Sequence, residues 1–188
     1  MAQIQIPTSA KLFTGILASN AAYLKSAEDK LISVYGPIDL RTNPEGIPFD
    51  FSDYYTKEMG AGLKRLFVSF ERLIKPDDIA SIKIRTNELE KELATALKSH
   101  LPRPVNLDPG YITSSKMILV TTKDYSHRIY LRDGIYAEIT LQFKTVEGGR
   151  KGFQPLPWTY RDYKTLPYLD FFNQMRNIYF GQTSERMK

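Results

Sequence analysis

Lys123 to Arg128 brings a lysine, an aspartate, a histidine and an arginine into one short segment. Such a set can grip an anion through Lys123 and Arg128 and move a proton through His127. Glu138 follows across a stretch patterned as a β-hairpin. Pairing of that hairpin would set its carboxylate opposite Arg128, beside Tyr130 and Tyr136. An ordinary cross-strand ion pair, worth roughly 0.2–1 kcal/mol, is the plain alternative.

Further sets of polar residues carry chemistry of other kinds. Asn106, Asp108 and Tyr111 flank Pro109-Gly110. A carboxylate and an amide on a rigid turn suit a sugar hydroxyl or a hydrated Mg²⁺, although Asn and Asp beside a turn also bond their own backbone. Lys83, Asn87 and Glu90 recur at helical spacing and could border a cleft or form a solvated face with an intrahelical pair. Asp50, Asp53 and Glu58 surround Tyr54 and Tyr55. Three carboxylates could hold a hard cation, but the spacing is not that of an EF-hand, and the tyrosines are expected to anchor the loop to the core. Trp158, the only tryptophan, lies in a predicted loop. Exposed, it would stack a base or sugar ring; buried, it would cover the core. These readings make Asp108, His127 and Glu138 the candidate catalytic groups. Lys83, Asn87, Asn106, Tyr111, Lys123, Arg128, Tyr136 and Trp158 are the candidate ligand-binding groups, and no metal set is assigned.

Composition narrows the chemistry. Among 188 residues there is no cysteine and there are only two histidines, which removes disulfide scaffolds, thiolate metal sites and a cysteine nucleophile. Neither zinc nor haem is expected, whereas Mg²⁺ is compatible. No serine–histidine–acid arrangement is readable. The balance of 26 basic and 21 acidic residues leaves +5. That is a mild excess scattered along the chain, so nucleic acid is only a weakly supported partner. Met1–Ala10 lacks an export pattern and Leu12–Ala18 is too short to span a bilayer, so a cytoplasmic location without a membrane partner is expected. The 12 tyrosines and 10 phenylalanines are the compositional excess.

The elements that must position these groups follow from periodicity. Lys11–Ala18 reads as a buried strand. Ser19 or Asn20 caps a helix carrying Leu24, Ala27, Leu31 and Val34, which Gly36-Pro37 stops. Ile38–Gly62 is rich in loops, and Leu66–Phe70 is a strand. Ile79, Ile82, Leu89, Leu93 and Leu97 predict one helix over 76–98, the alternative being a short strand at Ile82–Ile84 before a helix from Asn87. Val105–Leu107 reads as a short strand and Asp108-Pro109-Gly110 as a type II turn. Residues 111–122 fit a helix or a strand. For Ser126–Phe143, a three-residue Arg132-Asp133-Gly134 loop pairs Leu131 with Ile135 and Ile129 with Ala137, giving one apolar face of Ile129, Leu131, Ile135, Ala137 and Ile139. That register places His127 on the apolar side. After a glycine-rich loop at 147–152 comes a strand near Phe153–Leu156. A last helix from about Pro167 carries Tyr168, Phe171, Phe172, Met175, Ile178 and Tyr179 on one face. The ends, 1–10 and 181–188, are expected to be loose.

Phe49–Tyr55, Glu58-Met59-Gly60, Asn106–Tyr111, Thr122–Tyr130, Asp133–Glu138 and Pro155–Tyr160 together resemble a family of small prokaryotic proteins classed as a domain of unknown function. The likeness runs from about Lys11 to Tyr179 and implies one unit over the whole chain. Some members of that family carry the label of GTP-binding protein. This chain has no G-x-x-x-x-G-K-[ST] loop, and its nearest element, Gly60–Arg65, lacks the spacing and the hydroxyl.

The sequence therefore predicts a single α+β domain, a mainly antiparallel sheet with helices packed on it. The early order strand–helix–strand–strand–helix–strand suits a ferredoxin-like half extended by a C-terminal hairpin. Two functions are expected to compete. One is binding or turnover of an anionic small molecule such as a nucleotide; the other is a non-enzymatic RNA- or protein-binding module using exposed tyrosine, tryptophan and basic residues. Oligomeric state is not predicted.

Overall fold

The computed structural model describes residues 2–145 and 148–186. Its first half is β1 (Ala10–Ala18), α1 (Ala21–Tyr35), β2 (Ile38–Arg41), the short β3 (Ile47–Pro48), a one-turn α2 (Thr56–Met59), β4 (Lys64–Ile74), α3 (Ile79–Ala96) and β5 (Val105–Ile112). Asn20 caps α1 by accepting the Tyr23 N–H at 2.9 Å, and Gly36 ends it with a positive φ. Pro76 opens a single turn of 3₁₀-helix that leads into α3, so the longer apolar stripe prevailed over a strand at Ile82–Ile84. The sheet order β2-β4-β1-β5, every pair antiparallel, is the split βαβ arrangement of a ferredoxin-like half.

The second half extends the same sheet through β6 (Lys116–Thr121), β8 (Ile135–Thr145) and β7 (Ile129–Arg132), with β9 (Lys151–Pro155) on the far end of β8. Residues 111–122 are thus strand, the end of β5 and all of β6. Because β1 is buried on both faces, its side chains serve two cores. Leu12 and Ile16 join Leu66, Val68 and Leu107 beneath α1 and α3. Phe13 joins Phe67 and Phe153 beneath α4 (Leu166–Arg186), whose Tyr168, Phe171, Phe172 and Met175 are buried as the aromatic stripe requires. Phe67 packs against Tyr168, Phe172 and Phe171 at ring-centroid distances of 4.7, 5.3 and 5.5 Å. Aromatic pairs of this kind add about 0.5–1.5 kcal/mol each beyond their buried area, a source of cohesion in a chain without disulfides.

Several expectations are corrected. Asp108-Pro109-Gly110 is not a turn but the middle of β5. Gly110 is required there for close approach: a Cβ would lie 2.4 Å from the Ile118 carbonyl oxygen and 2.6 Å from Phe13 Cζ. Gly110→Ala is therefore expected to destabilise the fold by about 1–3 kcal/mol, measured by denaturant titration. The β7–β8 turn is the two-residue Asp133-Gly134, both at positive φ. Ile129 does pair with Ala137, but Arg132 rather than Leu131 faces Ile135, and a bulge absorbs the difference. The apolar face predicted for this hairpin is only half buried. Ile135 is enclosed, while Ile129 is 72% and Leu131 39% exposed, because among the described residues neither apolar side chain of edge strand β7 joins a core cluster. Val34 is exposed, not part of the α1 stripe. Residues 181–186, expected to be loose, are the last turns of α4, which continues to Arg186; 187 and 188 lie outside the described residues. Gln182 holds these turns: it accepts from Lys11 Nζ at 3.0 Å and donates to the Glu71 carbonyl at 2.8 Å. No helix among the described residues is long and apolar enough to cross a membrane.

Candidate functional site

The sheet opens where β5 and β6 part. They pair only over Gly110–Ile112, whereas β5 stays bonded to β1 from Val105 to Ile112. The free edge of β5 needs partners, and α3 supplies them. Lys83 Nζ donates to the Leu107 carbonyl at 2.9 Å, and Glu90 Oε1 accepts the Leu107 N–H at 2.7 Å. The polar stripe Lys83, Asn87, Glu90 is therefore not a solvated face: Lys83 is buried, and Glu90 is half-buried while closing the strand edge.

Above this split lies a cavity of about 700 Å³. Its floor is β4 and β5. Its walls are the loop carrying Phe49, Phe51, Tyr54, Tyr55 and Glu58, the segment Thr121–Arg128, and the segment Trp158–Tyr163. Of the predicted residues, Lys83, Asn87, Asn106, Asp108, Lys123, His127, Arg128, Glu138 and Trp158 all line it. Tyr111 and Tyr136 do not; Tyr111 packs against the core and Tyr136 meets Tyr130 edge to face at 5.3 Å. Of the Asp50–Glu58 set, Tyr54, Tyr55 and Glu58 reach the cavity. Tyr55 anchors its loop against Phe49, whereas Tyr54 is exposed, contrary to the expectation for both tyrosines. Among the described residues no three histidine or acidic side chains converge to hold a metal ion.

At the floor, Arg65 reaches from β4 across β1 to β5. Gly15 makes the crossing possible, because a Cβ on it would stand 3.2 Å from the Arg65 guanidinium. Arg65 Nη1 donates to Asp108 Oδ2 at 2.9 Å, and Asp162 lies 3.7 Å from Nη2. Asn106 donates to the same Asp108 oxygen at 2.7 Å and accepts from Arg103, which also pairs with Glu90. Burial pushes the Asp108 carboxyl up, but Lys83 and Arg65 together outweigh it and hold the group below its ordinary 3.8. Burial pushes Asp162 and Glu90 the other way. The stability that ionised Asp108 contributes is thus complete above pH 3.8 and lost as pH falls through its depressed folded value. Asp162 and Glu90 oppose that trend, since acidification relieves their burial. Acid titration of stability is expected to be less steep in Asp108→Asn than in the natural chain below about pH 4.

The second centre is Glu138, fully buried on β8. It accepts from Arg128 Nε at 2.9 Å and from the Thr140 hydroxyl at 2.9 Å, and lies 3.1 Å from His127 Nε2. Arg128 also donates to the Lys123 carbonyl at 2.8 Å and to the Tyr160 hydroxyl at 2.5 Å. It braces two walls of the cavity, and its donors are engaged. His127 is not on the apolar face, because β7 begins only at Ile129 and strand alternation does not extend to it. Its ring stacks between Tyr125 and Trp158 at 6.2 and 5.5 Å. Trp158 resolves its two readings midway. It is 41% exposed at the cavity rim, with Nε1 donating to the Ile139 carbonyl at 2.8 Å.

The lining carries six cationic side chains (Arg65, Lys83, Arg103, Lys123, Arg128, Arg161) against four acidic ones (Glu58, Asp108, Glu138, Asp162). Four of the cations have carboxylate partners within 4 Å. Lys123 and Arg161 have none among the described residues. Lys123 instead lies 4.7 Å over the Tyr54 ring and donates to its hydroxyl at 3.3 Å. Arg65, Arg103, Arg161 and Asp162 were missed by sequence reasoning. Arg65 sits at the head of an apolar strand, and nothing in its sequence neighbours reports the glycine that makes room for it on the adjacent strand β1.

The fold and site define an α+β protein with a ferredoxin-like half, extended by antiparallel strands around a polar, aromatic-walled cavity. Sequence comparison makes the assignment specific: the chain belongs to DUF4416, a family described as a domain of unknown function, which matches residues 8–179. Comparison with curated proteins and with solved structures finds no match.

Proposed function

We propose that this cavity binds an anionic small molecule of nucleotide size, and that the protein does so in the cytoplasm, where such ligands are abundant. The observation that carries the reading is the pair Lys123 and Arg161, two cations without carboxylate partners on the walls of a net-positive cavity. Its volume, about 700 Å³, lies within the range of small-molecule sites, roughly 300–1,000 Å³. Aromatic walls suit a planar or ring-shaped body, and the two cations suit a phosphate or carboxylate group. Ionised Asp108 is an acceptor for a hydroxyl or for water around a Mg²⁺ that arrives with the ligand. For turnover, the group placed to move a proton is His127, with Glu138 orienting its ring.

The alternative, an RNA- or protein-binding module, draws on the exposed Ile129, Tyr130 and Leu131 of edge strand β7. Trp158 is turned to the cavity instead of extending that surface. A thermal-shift screen of nucleotides with and without Mg²⁺ tests the proposal. A raised melting temperature that Lys123→Gln diminishes is expected. No shift at millimolar ligand would count against nucleotides and return attention to the β7 surface.

A further inference from the structure

We propose that the protein pairs with a second copy of itself through its N-terminal arm. Residues 3–6 of one copy add as a strand to the free edge of β7 in the other, and reciprocal exchange closes a two-fold dimer. This surface is separate from the anion site.

Residues 2–9 carry no charged side chain, and Ile4 and Ile6 alternate with Gln3 and Gln5 before Pro7. That is the pattern of a strand with one apolar face, ended by a residue that has no N–H for a ladder. Tyr179 fixes the root of the arm by donating to the Ser9 carbonyl at 2.9 Å. Beyond that root, residues 2–8 make no backbone hydrogen bond among the described residues, and Ile4 and Ile6 are 102% and 93% exposed. The arm thus has the pattern of a half-buried strand and lacks both the ladder and the core that such a strand needs.

Strand β7 is the matching half. It is four residues long, pairs with β8 and has no strand on its outer edge among the described residues. Such an edge is a template for another strand. Ile129 stands opposite Ala137, which packs against the core beneath α1 and α3, so an isoleucine laid beside Ile129 would extend that core. The arm is too short to lie along β7 of its own chain. Lys11 is level with Ile112, Met117 and Leu141 across the sheet, whereas β7 faces β8 at residues 135–137, four strands from β1. Four strand spacings and about five residues along β8 put the two roughly 25 Å apart, while even a fully extended arm carries Ile4 only about 21 Å from Ala10. The β7 edge within reach is that of another copy.

Sedimentation equilibrium of the full chain from about 1 µM to 1 mM tests this, beside Ile4→Ser/Ile6→Ser in the arm and Ile129→Thr on β7. Two four-residue ladders make a small interface, so a monomer–dimer equilibrium with a dissociation constant of roughly 10–100 µM is expected. Each variant is expected to raise that constant by about tenfold or more, because reciprocal exchange loses the apolar contact twice. All three side chains are exposed, and threonine keeps the strand preference of isoleucine, so the fold should survive, with the melting temperature as the check. A chain that stays monomeric throughout, a dimer that both variants leave unchanged, or one that only one of them weakens would overturn the inference. None of the three residues lines the cavity, so the result is independent of that for the anion site.

Discussion

Glu138→Ala is expected to lower stability by about 3–5 kcal/mol, the cost of stranding a buried charge. Arg128, whose side chain is 3% exposed, would lose its only carboxylate among the described residues, while His127 and Thr140 lose the oxygens that orient them. The damage should not stop at one strand. Arg128 ties the Lys123 carbonyl and the Tyr160 hydroxyl to β8, so both walls of the cavity should loosen together. Denaturant unfolding measures the loss, and the double variant Glu138→Ala/Arg128→Met provides the control. If the defect is the orphaned guanidinium, the double variant regains part of the stability. Equal instability in the single and double variants would place the cost in packing instead.

Arg65→Met is the second large effect, again about 3–5 kcal/mol. Methionine keeps much of the apolar stem but loses the guanidinium carbon that lies 5.3 and 5.9 Å from the Phe49 and Phe67 ring centroids. It removes the charge facing Asp108 and the buried Asp162. Asp162, already pushed up by burial, should then protonate more readily. The variant is therefore expected to recover stability on mild acidification. Adding Asp162→Asn should recover part of the loss at neutral pH. Denaturation of the three proteins at two pH values checks both expectations.

These effects show which parts of the site were legible in the sequence. Lys123, His127, Arg128 and Glu138 could be grouped because a hairpin relates them locally, and Ile129–Ala137 pairing already sets Arg128 toward Glu138. The turn itself was misread because two adjacent residues, Asp133 and Gly134, adopt positive φ and a bulge at Leu131 restores the register. Asp108-Pro109-Gly110 looked like a turn for a sound local reason, since proline and glycine are turn formers. In the fold, Pro109 lies just before the residues of β5 that pair with β6, and Gly110 permits close contact with β6 and Phe13. The link from Asp108 to Arg65 crosses three strands and depends on Gly15, which local spacing does not report. Lys83 and Glu90 were visible as a pair at i, i+7, but their task, satisfying Leu107 at the split edge of β5, required knowledge of where β6 parts from β5.

An anion site at Lys123 and Arg161 is tested most directly by the thermal shift of the natural chain beside Lys123→Gln/Arg161→Gln. Neither residue has a carboxylate partner among the described residues, so the double variant should melt close to the natural chain without ligand. With a nucleoside triphosphate at about ten to a hundred times its Kd, binding adds roughly 1.4–2.7 kcal/mol. For a protein of this size that corresponds to a rise of about 3–10 °C. That rise is expected in the natural chain, with little or none in the double variant. A nucleotide-induced rise of equal size in both proteins, or no rise in the natural chain at millimolar ligand, would contradict it.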